Sequence, residues 1–260
     1  MLLTRPLLWR LRDHPVHFLG TFHLGPPGGF AFPPRALELI DSAAAVYLEV
    51  DPFGQPTRDI VHRSEGTLED DIGSSRFRRL QELMPRDNDL AQLAPAGIEL
   101  RLGIQAYRAR GLEFDLGIDR MLYRRADGLE KSIHFLETMS DQEQALLAGD
   151  KSEMIAGLDL MLANPGVLQQ LVDNLIWAYL QGDDRVLSEI RNLMATLRPS
   201  KARALLQNRE ERWVPLIRGI VESRRPTLIA VGAIHFAEPD GLLSHLAPIF
   251  PMQRFEAEAA

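Results

Sequence analysis

Apolar positions along the chain fall into two patterns. Short unbroken runs stand between turn signals at "VHFLGTF" (residues 16–22), "AAVYLEV" (44–50), "KSIHFLE" (131–137) and "PTLIAVGA" (226–233). Runs of this length and β-branched content predict buried strands. Elsewhere the apolar residues recur every three or four positions. That spacing predicts helices over "RALELIDSA" with Pro34 in its first turn, "SRFRRLQELM" ended by Pro85, "PAGIELRLGIQAYRARG" and "GIDRMLYRRADG". From Ser140 to about Ser223 amphipathic helices follow one another, opened by an expected capping box of Ser140 and Glu143. The clearest is "VLQQLVDNLIWAYLQG", with Leu168, Leu171, Leu175, Ala178 and Tyr179 on one side. "EPDGLLSHLAPIF" predicts a short closing helix or turn, and the tail "EAEAA" is expected to fray. The pattern predicts an α/β fold in one domain over residues 1–260. Its mixed central sheet is formed from both chain ends, with a large helical insertion at about 140–223.

Composition narrows the class. With 260 residues, 45% hydrophobic and 25% charged, the chain can bury a substantial core. A net charge of −7 without a long like-charge run points away from nucleic acid and anionic membranes. The absence of cysteine excludes disulfides and thiolate chemistry, so any metal must sit on His and carboxylate. Arg5, Arg10 and Arg12 interrupt the N-terminal apolar residues, and no segment reaches ~18 consecutive apolar residues. The expectation is a cytoplasmic chain without a transmembrane segment.

One short pattern carries candidate chemistry. "GTFH" (20–23) and "GAIH" (232–235) each end a predicted strand and lead into a loop with proline and glycine. In α/β sheets, ligands bind outside the carboxyl ends of strands. If the two strands are parallel neighbours, His23 and His235 meet at one edge. Gly20 and Gly232 would let the backbone pass close to a ligand. Glu49 leaves a third strand end and Glu137 a fourth. His23, His235 and Glu49 make a three-ligand set with an open position, for which Mn, Co and Zn are candidates. The other histidines read as structural: His14 in a turn, His17 beside the first strand, His62 in a polar segment, His134 packed within a strand, His245 in the terminal helix. Asp119 reads as a helix N-terminal residue complementing the dipole. By spacing alone, Arg209 reads as a solvated helix charge among Glu210, Glu211 and Arg212, and Trp213 as a core anchor.

The motifs "GTFH", "YLEVD", "GIDRML", "FLETMSDQ", "NREERW" and "VGAIHFAEPDGLL", in that order, resemble the TraB/GumN family over about residues 7–250. That family includes the Tiki metalloproteases and has distant erythromycin-esterase and ChaN-like relatives. The resemblance implies an EreA/ChaN-like, Tiki-like α/β fold with a cleft formed from both halves. It implies that His23 and His235 are the essential histidines, Glu49 the essential carboxylate, and Glu137 and Arg209 supporting residues. Arg209 would bind a substrate carboxylate or a developing oxyanion. The family pattern often has Asn after that arginine, where this chain has Glu210. The expected function is a metal-dependent hydrolase of a peptide or small-molecule substrate, cutting peptide, amide or ester bonds with Glu49 or Glu137 as general base. The alternatives are a haem, iron or small-ligand binding protein, a metal-free esterase in which a histidine activates water, or a protein that binds peptides without cleaving them.

Overall fold

The computed structural model describes residues 2–57 and 59–255. The expected "EAEAA" tail lies outside them. In chain order the strands are β1 (Leu2–Leu3), β2 (Leu8–Leu11), β3 (Val16–Thr21), β4 (Phe30–Ala31), β5 (Ala45–Leu48), β6 (Ser132–Phe135), β7 (Thr227–Gly232) and β8 (Met252–Arg254). The first half carries helices α1 (Pro34–Ser42), α2 (Leu68–Ile72), α3 (Ser74–Leu83), α4 (Pro95–Arg108) and α5 (Ile118–Gly128). After β6 come α6 (Met139–Leu147), α7 (Lys151–Ala163), α8 (Val167–Gln181), α9 (Asp184–Leu197), α10 (Pro199–Ala202) and α11 (Asn208–Glu222). Helix α12 (Leu242–Leu246) follows β7. Among the described residues no helix is long and apolar enough to cross a membrane.

Strands from both chain ends build one six-stranded sheet in the order β6-β5-β7-β3-β2-β8. Strand β7 runs parallel to β3 on one side and to β5 on the other, and β6 is parallel to β5. Strands β2 and β8 extend the edge in antiparallel fashion. Every residue of β7 is buried, as expected of a parallel strand covered on both faces. That explains its unbroken apolar run. The register sets Thr21 opposite Gly232 and Leu48 opposite Ala230. The carboxyl ends of β3, β7, β5 and β6 therefore share one edge, and His23, Gly232, Glu49 and Glu137 lie there.

A second apolar cluster stands apart from the sheet. Leu68, Ile72, Leu80 and Ile98 of α2–α4 pack with Met154, Leu158 and Leu162 of α7. The helical layer thus draws on residues 68–108 as well as on the insertion at about 140–223.

Three local expectations change. The capping box before α6 is formed by Thr138 and Asp141, with Thr138 Oγ1 accepting from the Asp141 N–H, and not by Ser140 and Glu143. Thr138 is the residue with extended backbone, so only its hydroxyl can reach the first free N–H groups. Glu143 instead accepts from the Thr57 N–H at 2.6 Å. His134 is not packed in the core. Strand β6 is the sheet edge, and His134 lies half-buried against Tyr47, with ring centroids 4.6 Å apart. Gly20, expected near a ligand, lies inside β3, where an added Cβ would stand 3.1 Å from Ala233 and Leu7. It permits close packing and does not line the cleft.

Candidate active site

The shared strand edge opens into a cleft of about 700 Å³. His23, Glu49, Asp119, Arg209, Gly232 and His235 line one end of it. Glu137 lies behind, reached through Arg209. The topology thus assembles all five side chains expected at the site.

His23 follows β3 by two residues, and α5 fixes it from the side. Gly117, the cap residue of α5, approaches the His23 carbonyl so closely that a Cβ would fall 2.0 Å from that oxygen. The Ile118 N–H donates to Phe22 O at 2.9 Å. This contact delivers Asp119, the second residue of α5, to His23. Asp119 Oδ2 lies 2.8 Å from His23 Nδ1, and Asp119 Oδ1 accepts from Thr21 Oγ1 at 2.8 Å. With Nδ1–H given to Asp119, the neutral imidazole keeps its lone pair on Nε2. That atom faces the site. The point where a Gly232 Cβ would lie is 3.4 Å from His23 Nε2 and 3.1 Å from Glu49 Oε1. Any side chain at 232 would occupy the space between them, which is the local need for glycine.

Desolvation pulls the His23 pKa down, but the charge and hydrogen bond of Asp119, with help from Glu49, outweigh it and raise it to about 9. The ring is 48% exposed, so water from the cleft reaches it.

Arg209 organises the opposite wall. It is 5% exposed. Its Nε–H donates to Glu137 at 3.0 Å, and Nη2 donates to Glu49 at 2.5 Å and to Glu137 at 2.7 Å. Nη1 donates to Leu205 O and to His235 Nε2, both at 3.1 Å. A guanidinium has five N–H hydrogens. These contacts engage all of them. In this arrangement Arg209 has none left for a substrate carboxylate or an oxyanion. Its ring neighbour is Trp213, with Cζ 4.7 Å from the indole centroid. Burial would raise the pKa of Glu49, but the Arg209 guanidinium above all holds its carboxyl well below the usual range. The Gly232 N–H adds a hydrogen bond of 2.5 Å.

His235 sits on a short helical turn after β7 and is 2% exposed. Because Arg209 can only donate, His235 Nε2 must accept, and its proton rests on Nδ1. That proton is given to Glu210 Oε1 at 2.9 Å. Glu210 is fully buried and also receives both terminal nitrogens of Arg191, at 2.7 and 2.8 Å. Desolvation of Glu210 is outweighed by these bonds, which lower its pKa.

A family model described as TraB/PrgY/gumN matches residues 7–248. The chain belongs to this family. Neither a curated protein nor a solved structure matches it. In this TraB/PrgY/gumN chain each site histidine has its own carboxylate, Asp119 for His23 and Glu210 for His235.

The donor set fits a divalent ion poorly. His235 Nε2 spends its single lone pair on Arg209, and Glu49 faces the same guanidinium. The cation between Glu49 and His235 is Arg209.

Residue spacing places Asp119 in the first turn of α5 but not beside His23, treats Glu210 as one charge of a solvated run, and does not single out Arg191. A usable signal existed in α11, whose buried face is Arg209, Glu210, Trp213, Ile217 and Val221. Reading back from Trp213 by four and three positions puts both charges on the apolar side. Arg191 likewise stands four residues after buried Leu187 in α9.

Proposed function

We propose that this family member is a hydrolase of peptide, amide or ester bonds in which His23, held by Asp119, is the general base. The observation that supports this reading is the Asp119–His23 pair, with Nδ1 fixed at 2.8 Å and Nε2 turned to the cleft beside Glu49. Orientation by a buried partner is what general-base catalysis requires of an imidazole. Glu49 and Glu137 are weaker candidates, because both are ion-paired to Arg209.

In the proposed reaction His23 Nε2 takes a proton from water as the water oxygen bonds to the carbonyl carbon. The C–N or C–O bond then breaks, and the imidazolium passes that proton to the leaving amine or alkoxide. The products are a carboxylic acid and an amine or alcohol. Arg209, Glu137 and Glu210 hold Glu49 and His235 in place and contact no reacting atom. No step passes through a metal. The likeness to Tiki metalloproteases and the Mn, Co or Zn dependence it implies form the competing version.

The test is turnover of a peptide and ester library in excess EDTA. The reading expects hydrolysis that EDTA leaves intact and His23→Ala abolishes. Activity that requires added Mn²⁺, Co²⁺ or Zn²⁺ would favour the metal version. A second reading, a binding protein without turnover, draws on the apolar lining of the cleft, including Leu100, Ile104, Met194 and Leu206. It expects thermal stabilisation by a ligand that emerges unchanged.

A further inference from the structure

Beside the cleft lies a second cavity of about 420 Å³ between α8, α9 and the end of β3. The two share His23, Leu24, Tyr107, Met194, Gly232 and Ile234, so the second cavity is a branch that begins at the proposed base. Its walls come from one face of each helix. Leu171 and Leu175 stand four apart on α8, and Leu187, Ile190 and Leu197 recur along α9. Leu193 joins them at the open side, where Leu193 and Leu197 are about half exposed, at 51% and 49%. The charged lining residue besides His23 is Arg198, whose Nη1 pairs with Glu99 at 2.6 Å and whose buried Nε has no hydrogen-bond partner. Thr21 and Tyr107 each bring a hydroxyl to the wall, and that of Thr21 is committed to Asp119.

We infer that this branch binds the aliphatic acyl chain of the substrate, so that the scissile carbonyl rests at His23 and the leaving group lies in the larger cleft. The inference rests on the hydrolase reading for the carbonyl's position. It rests on the lining alone for the chain's chemistry. A peptide segment would bring a row of backbone N–H and C=O groups into walls that offer few partners, the Tyr107 hydroxyl and Arg198 Nε, and burying the rest is costly. An alkyl chain brings none. The volume lies within the ~300–1,000 Å³ of ordinary ligand pockets.

The experiment compares acetyl, hexanoyl and decanoyl p-nitrophenyl esters with the wild type, Ile190→Trp and Leu193→Trp. Leu193 is half exposed, so its variant keeps the test open if Ile190→Trp fails to fold. Decanoate is titrated against all three proteins by thermal shift as a readout that needs no turnover. The expected result is a kcat/KM that climbs about fourfold per methylene from acetyl to hexanoyl. The decanoyl-to-acetyl ratio should fall at least tenfold in either variant. A flat series with good turnover overturns the acyl branch and leaves the hydrolase standing. No turnover of any ester, with decanoate stabilising the wild type and neither variant, keeps the branch and removes ester hydrolysis at His23. No turnover and no thermal shift overturns the branch.

Discussion

Asp119 determines what His23 can do. It orients the ring, fixes which nitrogen faces the cleft, and raises the pKa of the ring to about 9. Asp119→Asn should therefore lower kcat by about a hundredfold or more. It should also move the rising limb of the kcat/KM–pH profile from about 9 toward 6.5. A limb that stays in place would assign it to another group. Glu210 is a different kind of residue. Its two partners, Arg191 at 4% exposure and His235 at 2%, are both buried. Glu210→Ala would strand a buried guanidinium, and losing one partner of a buried pair costs about 3–5 kcal/mol. Urea unfolding should register that loss, with a smaller one in Glu210→Gln, which can still accept from His235. At this scale the sequence was only partly legible. His23, His235 and Glu49 announce themselves because each follows the end of an apolar strand within three residues. Asp119 pairs with a residue 96 positions away, and nothing local to "GIDRML" reports that.

At the scale of elements, the site depends on three parallel strand ends and two helices that approach them. Strands β3, β7 and β5 bring His23, Gly232 and Glu49 level, α5 brings Asp119, and α11 brings Arg209 and Glu210. The five-residue π-helical turn at Arg203–Gln207 leads into α11 and shifts its phase just before Arg209. The two glycines that head the repeated motif have separate jobs, which substitution can distinguish. In Gly232→Ala the methyl would sit 3.1 Å from Glu49 Oε1 and 3.4 Å from His23 Nε2. Activity should drop sharply while the unfolding midpoint moves little. In Gly20→Ala the methyl meets Ala233 Cα and Leu7 Cβ at 3.1 Å. Packing this tight should lower stability by about 1–3 kcal/mol. Equal effects of the two on activity and stability would contradict this division. The strands and most helices are readable from hydrophobic spacing, because each answers to a local pattern. The capping box of α6 was misplaced by two residues because backbone conformation, not residue type, selects Thr138 over Ser140.

For the whole molecule, the sheet built from both chain ends was legible, since the two Gly-x-x-His strands share the same grammar. The second apolar cluster was not. Its members lie on α2–α4 and α7, and only the folded chain joins them. The site also leaves a mark on global stability. The folded pKa of His23, about 9, lies above the ordinary value of 6.5. Its contribution is thus complete below pH 6.5 and is lost as pH rises through about 9. The urea midpoint of the wild type should fall over that window by more than that of His23→Ala. Parallel curves for the two proteins would show that the Asp119–His23 pair contributes nothing net. Because the ring is reached by solvent, the difference should be small and should shrink with salt.

The most direct test of the central claim is hydrolysis by the wild type and His23→Ala in excess EDTA, followed as kcat/KM from pH 6 to 10. Wild-type turnover should rise toward a limb near pH 9 and disappear in the variant, whose thermal unfolding at pH 6–7 should stay cooperative. Turnover by His23→Ala at the wild-type rate, or wild-type turnover that vanishes in EDTA and returns with a divalent ion, would contradict it.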